Sequence, residues 1–169
     1  ESGLYPEWAT PGHRDCMVGN NSASVVADAY VKGTHKKDLE GAYKALLHGA
    51  NTVHPTVSAS GRTAYKEYNE LGYVPSDVVG QSASRTLEYA YDDFALAQVA
   101  KALGKEHDAE ILMKRAQNYQ NVINPNTGYA QGRYADGTFL PESNPFNFAR
   151  FITEGAPCHY TWYVPQDPY

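Results

Sequence analysis

No stretch of the 169 residues approaches the ~20 consecutive apolar residues of a membrane-spanning helix, so no span is expected. Basic clusters are missing too: 14 Lys and Arg stand against 19 Asp and Glu, for a net charge of −5. That balance argues against nucleic acid and anionic membrane surfaces as partners, since both select for clustered positive charge. Cysteine is scarce. Cys16 and Cys158 are far apart and lack metal-ligand spacing, and they read as two unrelated thiols ahead of a single disulfide. There is no phosphate loop, HExxH, CxxC or GxSxG, so the chemistries those motifs announce are not indicated. No secretory leader is legible; a targeting segment would have to lie ahead of Glu1, which is not an initiator Met.

What is abundant is tyrosine: 14 Tyr beside 5 Phe and 2 Trp. A phenol ring has an apolar face and a polar edge, which suits partners built the same way, such as sugars or peptides. The length is enough for one domain with a sizeable core.

The periodicity predicts a mainly helical chain. After an irregular, Gly- and Pro-rich opening over 1–21, "SASVVADAYVKG" reads as a helix stopped by Gly33, and a second helix begins at Asp38. Residues 51–63 read as a loop, and 64–71 as a short helix ended by Gly72. "SASRTLEYAYDDFALAQVAKALGK" is the longest helix, with apolar residues on more than one face, as a helix buried on several sides requires. "KEHDAEILMKRAQNYQNVINP" reads as one further helix up to Pro125, and 129–140 as a small β-hairpin turning at Asp136-Gly137. Helix pairs joined by elaborate loops suit a ring of helical hairpins carrying a site at one end.

Candidate chemistry rests on acids. Glu88 sits three residues after Arg85, as an ion pair on one helix face would. Asp92 and Asp93 are adjacent in an apolar helix and must find donors or water, whether for structure or for a polar ligand. Glu154 lies among Tyr160, Trp162 and Tyr163. It is either a cap for the turn before Pro157 or a general acid whose carboxyl pKa is raised by a partly desolvated aromatic setting. The six His read as surface or packing residues, and "NNS" from Asn20 fits a glycosylation sequon.

Several blocks in order resemble glycoside hydrolase family 92, the exo-acting α-mannosidases. "CMVGNNSASVVADAYVKG", "SRTLEYAYDDFALAQVAKALGK", "RAQNYQNVINPNTGYAQGR" and "TEGAPCHYTWYVPQD" are similar to blocks of that family and together cover nearly the whole chain. The resemblance implies that residues 1–169 are a single piece of an (α/α)6 toroidal catalytic domain, with a β-sandwich domain ahead of it and the toroid's remainder behind. It implies calcium-dependent, inverting hydrolysis of terminal α-mannosyl bonds, acting on mannose-containing oligosaccharides or N-glycans in the periplasm or outside the cell. Glu154 takes the place of the family's general acid, with His159, Asp92 and Asp93 as candidate substrate contacts. The base and the Ca2+ ligands are expected outside this chain. Where the family often reads Asn-Ala-Trp-Gln-Tyr after Glu-Gly, this chain reads Ala156-Pro157-Cys158-His159-Tyr160; Asn21 and Gln166 each stand where His is usual. The competing readings are a non-catalytic carbohydrate-binding protein on this scaffold and a toroidal glycosidase or phosphorylase of another linkage.

Overall fold

The computed structural model describes residues 2–7, 14, 16–34 and 37–168. Six α-helices follow in order: α1 Ser22–Val31, α2 Leu39–Ala50, α3 Tyr65–Leu71, α4 Ser82–Ala102, α5 Glu106–Arg115 and the single-turn α6 Pro157–Tyr160. None of them is long and apolar enough to cross a membrane.

Helix α4 is the axis of the structure. Sixteen of its 21 residues are buried, which is why its apolar residues spread around the cylinder instead of forming one stripe. Its C-terminal half, through Ala95, Leu96, Val99 and Ala100, packs into a core with Ala23 and Ala27 of α1, Tyr43 and Leu46 of α2, and Ala109 and Leu112 of α5. The many alanines let these helices approach closely. Its N-terminal half lies under irregular chain instead: Ala83 and Leu87 meet Tyr73, Val122, Ala130, Phe151 and Ile152. Between the two cores α4 carries its polar residues, Glu88, Asp92 and Asp93, and all three are buried.

The helix boundaries follow local chemistry. Asp38 caps α2 by accepting the Gly41 N–H at 3.0 Å. Gly72 ends α3 in the left-handed region, φ +80°, and its carbonyl accepts Asn121 Nδ2 at 2.9 Å. One expectation is corrected. The helix expected to run from Lys105 to Pro125 stops at Arg115, and Asn118–Val122 tightens into a 3-10 helix. There the last-turn carbonyls are taken by side chains: Gln166 Nε2 donates to Ala116 O at 3.1 Å, and Tyr68 donates to Arg115 O at 3.4 Å. The small hairpin expected over 129–140 is present in its minimal form, with Leu140 N–H also donating to Gly132 O at 2.9 Å. One antiparallel bridge, Arg133 to Phe139, and the bond Tyr134 N–H to Thr138 O at 2.8 Å close it around Asp136-Gly137, too few pairs for strands. Cys16 and Cys158 are both free thiols.

Candidate active site

The first turn of a helix has amides with no partner inside the helix, and a side-chain cap ordinarily takes one. At α4 no side chain does; Gln81, at φ +58°, begins the helix uncapped. A strap of chain over 149–155 supplies the acceptors. Gln81 N–H donates to Arg150 O at 2.9 Å, and the Ala83 and Ser84 N–H groups converge on Phe151 O at 3.1 and 3.3 Å. In return Thr153 N–H donates to Ser84 Oγ at 2.9 Å, a bond spanning 69 residues of sequence. Apolar contact of Phe151 and Ile152 with Ala83 and Leu87 presses the strap onto the helix.

Glu154 follows at the apex of the strap in the left-handed region, φ +50°. For a residue with a Cβ that conformation costs about 1–3 kcal/mol and persists only where its surroundings impose it. The carboxylate is exposed and opens on a cleft of about 480 Å3 lined also by Gly80, Gln81, Arg85, Phe148 and Arg150. It caps nothing. The turn before Pro157 is capped by His159, whose Nδ1 accepts the Ala156 N–H at 3.1 Å. The desolvated aromatic setting expected of Glu154 is not found either: Trp162 is 82% exposed, and Glu154 itself is open to solvent. His159 is exposed on the same short stretch but is not among the residues that line the cleft with Glu154.

Asp92 and Asp93 are placed differently. Both are fully buried, and what they touch is protein. Asp93 Oδ1 meets Arg62 Nη1 at 2.6 Å, and Asp93 Oδ2 accepts the Tyr68 hydroxyl at 3.0 Å. The Arg62 guanidinium also lies over the Tyr68 and Tyr89 rings, 5.7 and 5.1 Å from their centroids. Burial alone would favour the neutral form of Arg62, but the Asp93 charge beside it outweighs this and holds it protonated. Asp92 Oδ2 accepts the Asn20 N–H at 2.5 Å, while Asp92 Oδ1 has no partner. Asn20 is the hub of this seam: its Nδ2 donates to Glu7 Oε1 at 2.8 Å and Gly61 O at 3.1 Å, and its Oδ1 accepts Arg62 Nε at 2.7 Å. With its amide so used and only 6% of the residue exposed, Asn20 is no glycan acceptor in this fold, despite its sequon.

The expected Glu88–Arg85 pair does not form. Arg85 turns away, and its Nε donates to Gly80 O at 3.1 Å. Glu88 lies instead along the face that holds Ser84 and Asp92, one turn apart each, with Tyr163 against its carboxylate and Oε2 unpartnered. Gly19 makes room for it: at φ +91°, a Cβ there would stand 3.2 Å from Glu88 Cβ. The sequence analysis singled out none of Glu7, Arg62, Tyr68 and Ser84, and Asn20 only as a sequon. Nothing local marks their roles, because these rest on partners tens of residues away.

Three of these acids are pushed up to about 7. Burial is the main cause for Glu7, Glu88 and Asp92, and the Asp92 charge adds to the rise at Glu7 and Glu88. Between their ordinary values, 4.5 for Glu and 3.8 for Asp, and about 7, the folded state therefore binds more protons than the unfolded state. Stability must then fall as pH rises through that window and level off above it, by ~1.4 kcal/mol per pH unit for each proton so held. Urea midpoints should be higher at pH 5 than at pH 7.5. A midpoint that is equal or higher at pH 7.5 would remove the seam from the pH response.

Among the described residues no three His, Cys, Asp or Glu side chains are grouped to hold a metal ion. The described residues thus do not fit a calcium site, which needs ~6–8 oxygen ligands. Millimolar calcium should leave the melting temperature of the 169-residue chain unchanged, because a ligand without a native site adds nothing to RT ln(1 + [L]/Kd). A rise of several degrees in a thermal scan would reveal a site.

Known proteins share this helical scaffold. An inverting family 92 mannosidase of Bacteroides thetaiotaomicron superposes with a TM-score of 0.93 at 40% identity, covering 97% of this chain and 22% of that one. An α-mannosidase of the same family and organism, in complex with mannoimidazole, superposes at 0.81 and 41% identity, covering 90% and 20%. A secreted glycosidase of Arthroderma benhamiae is 34% identical over 72% of this chain and 18% of its own length. All of residues 1–169 match the catalytic domain of glycosyl hydrolase family 92, and the chain belongs to that family. Its helices are a segment of the family's helical toroid, and the chain spans about a fifth of the length of these relatives.

Proposed function

We propose that this chain is part of the catalytic domain of an inverting exo-α-mannosidase, with Glu154 as general acid. The observation that carries the reading is Glu154 itself: a carboxylic acid at φ +50°, exposed at a cleft, on a strap bonded to α4. It passes its proton to the departing glycosidic oxygen. His159, exposed on the same short stretch, contacts the leaving sugar, while Asp92 and Asp93 hold Asn20 and Arg62 in place. An inverting reaction needs a second carboxylate ~6.5–9.5 Å away to activate water on the opposite face of the sugar. That base and any calcium belong to the rest of a longer enzyme; relatives about five times this length support the division. Substrates are mannose-ended oligosaccharides or N-glycans. A periplasmic or extracellular location accords with the relative described as secreted.

The complete enzyme, given an α-mannobioside, should release β-mannose first, read by proton NMR before mutarotation. Initial α-mannose would overturn inversion, and absence of mannose release would overturn the substrate class. The purified 169-residue chain should give no turnover, because acid and base each contribute ~10²–10⁴-fold only with substrate held between them. Chelator-resistant turnover by this chain alone would place the base within it.

A further inference from the structure

Buried hydroxyls inside helices usually bond back to the carbonyl four residues earlier, as Thr86 does to Ser82 O at 2.9 Å. Ser84, 0% exposed and one turn into α4, does not. Its Oγ accepts the N–H of Thr153 at 2.9 Å. The other ties to the helix lie further back, where Arg150 O and Phe151 O are bonded to the amides of Gln81, Ala83 and Ser84; within the strap, Ile152 N–H donates to Ala149 O at 3.0 Å and Ala149 N–H to Gly155 O at 3.3 Å. The bond to Ser84 Oγ is therefore the last tie to the helix before Glu154, whose left-handed backbone relaxes unless something holds it. The Tyr160 side chain bonds to both Ser84 and Thr153, contacts that leave the Thr153 amide with Ser84 Oγ as its acceptor.

We infer that Ser84 is a positioning residue for the general acid: its hydroxyl fixes the peptide next to Glu154 and so aims the carboxyl at the glycosidic oxygen. This rests on Glu154 being that acid. Ser84 touches neither the cleft nor any substrate, being fully buried, and acts only through the strap. Removing the hydroxyl leaves the Thr153 N–H buried without an acceptor, and the peptide must turn to find one.

The test is leaving-group dependence in the complete enzyme. A misaimed acid slows departure of a sugar alkoxide, which needs the proton, but hardly slows a dinitrophenolate, which does not. Ser84→Ala should lower kcat/KM on α-mannobiose ~10–100-fold, chiefly through kcat, and on dinitrophenyl α-mannoside by less than ~3-fold. Ser84→Thr keeps the acceptor and should retain activity on both within ~3-fold. Equal losses on the two substrates, no loss on either, or a Ser84→Thr variant as selectively impaired as Ser84→Ala would each overturn the role. Glu154→Gln run alongside separates the two claims. Selectivity in Glu154→Gln without it in Ser84→Ala rejects Ser84 and leaves the acid standing; its absence in Glu154→Gln removes the acid, and the role of Ser84 with it.

Discussion

Replacing Glu154 with Gln in the complete enzyme should cost ~10²–10⁴-fold in kcat/KM on mannobiose, roughly 3–5 kcal/mol of transition-state stabilisation, and far less on an activated aryl mannoside. The amide keeps the size and hydrogen-bonding reach of the acid but has no proton to give. A mannose alkoxide is a high-pKa leaving group whose departure depends on that proton, whereas a nitrophenolate leaves as the anion. The backbone should tolerate the change, since φ +50° at this position is imposed by the strap's bonds and not by the side chain. No hydrogen bond among the described residues holds the carboxylate, and it faces the cleft, so the substitution breaks no internal contact. A structural Glu154 would depress both substrates together, and equal losses in kcat/KM would return it to a packing role.

The second large effect is on stability. Arg62→Met should destabilise by ~3–5 kcal/mol, because it strands the Asp93 carboxylate at 0% exposure without its 2.6 Å partner. Asn20 Oδ1 loses its donor as well, and Tyr68 and Tyr89 lose the cation over their rings. Pairing the change with Asp93→Leu should restore most of the loss, since a buried ion pair is worth little against an apolar pair of similar volume. Tyr68 would then be left with its weaker bond to Arg115 O at 3.4 Å. Side-by-side urea denaturation of the single and double variants measures this. A single variant within ~1 kcal/mol of the parent would mean that solvent reaches Asp93 and that the seam is looser than its geometry.

Much of the helical scaffold could be read directly from residue order. Helix α2 starts at its Asp38 cap, and α1, α3 and α4 stop within two residues of the left-handed Gly33, Gly72 and Gly104, because a cap or such a glycine acts within a few residues of itself. The long span after Lys105 misled for the opposite reason: its period stays helical beyond Arg115, but the carbonyls that would continue it are claimed by Tyr68 and Gln166, 47 and 50 residues away. Glu88 shows the same limit. Its spacing from Arg85 predicts an i,i+3 ion pair, yet Glu88 packs against Gly19 and Tyr163, and Arg85 bonds to Gly80 O.

The sequence by itself determined the mainly helical class, most of the helix boundaries and the family, and it singled out Glu154 as the candidate acid. These are properties of local propensity and of ordered blocks, carried by neighbouring residues. Only the tertiary structure decided that Asp92 and Asp93 face inward, that Arg62 and Asn20 tie the buried seam together, and that Ser84 anchors the strap bearing Glu154. Each of those facts is a contact between residues 31 to 72 positions apart. Such a contact exists only once α4 has been packed between its two cores, where burial makes every unpaired polar atom costly and so dictates which distant groups must meet.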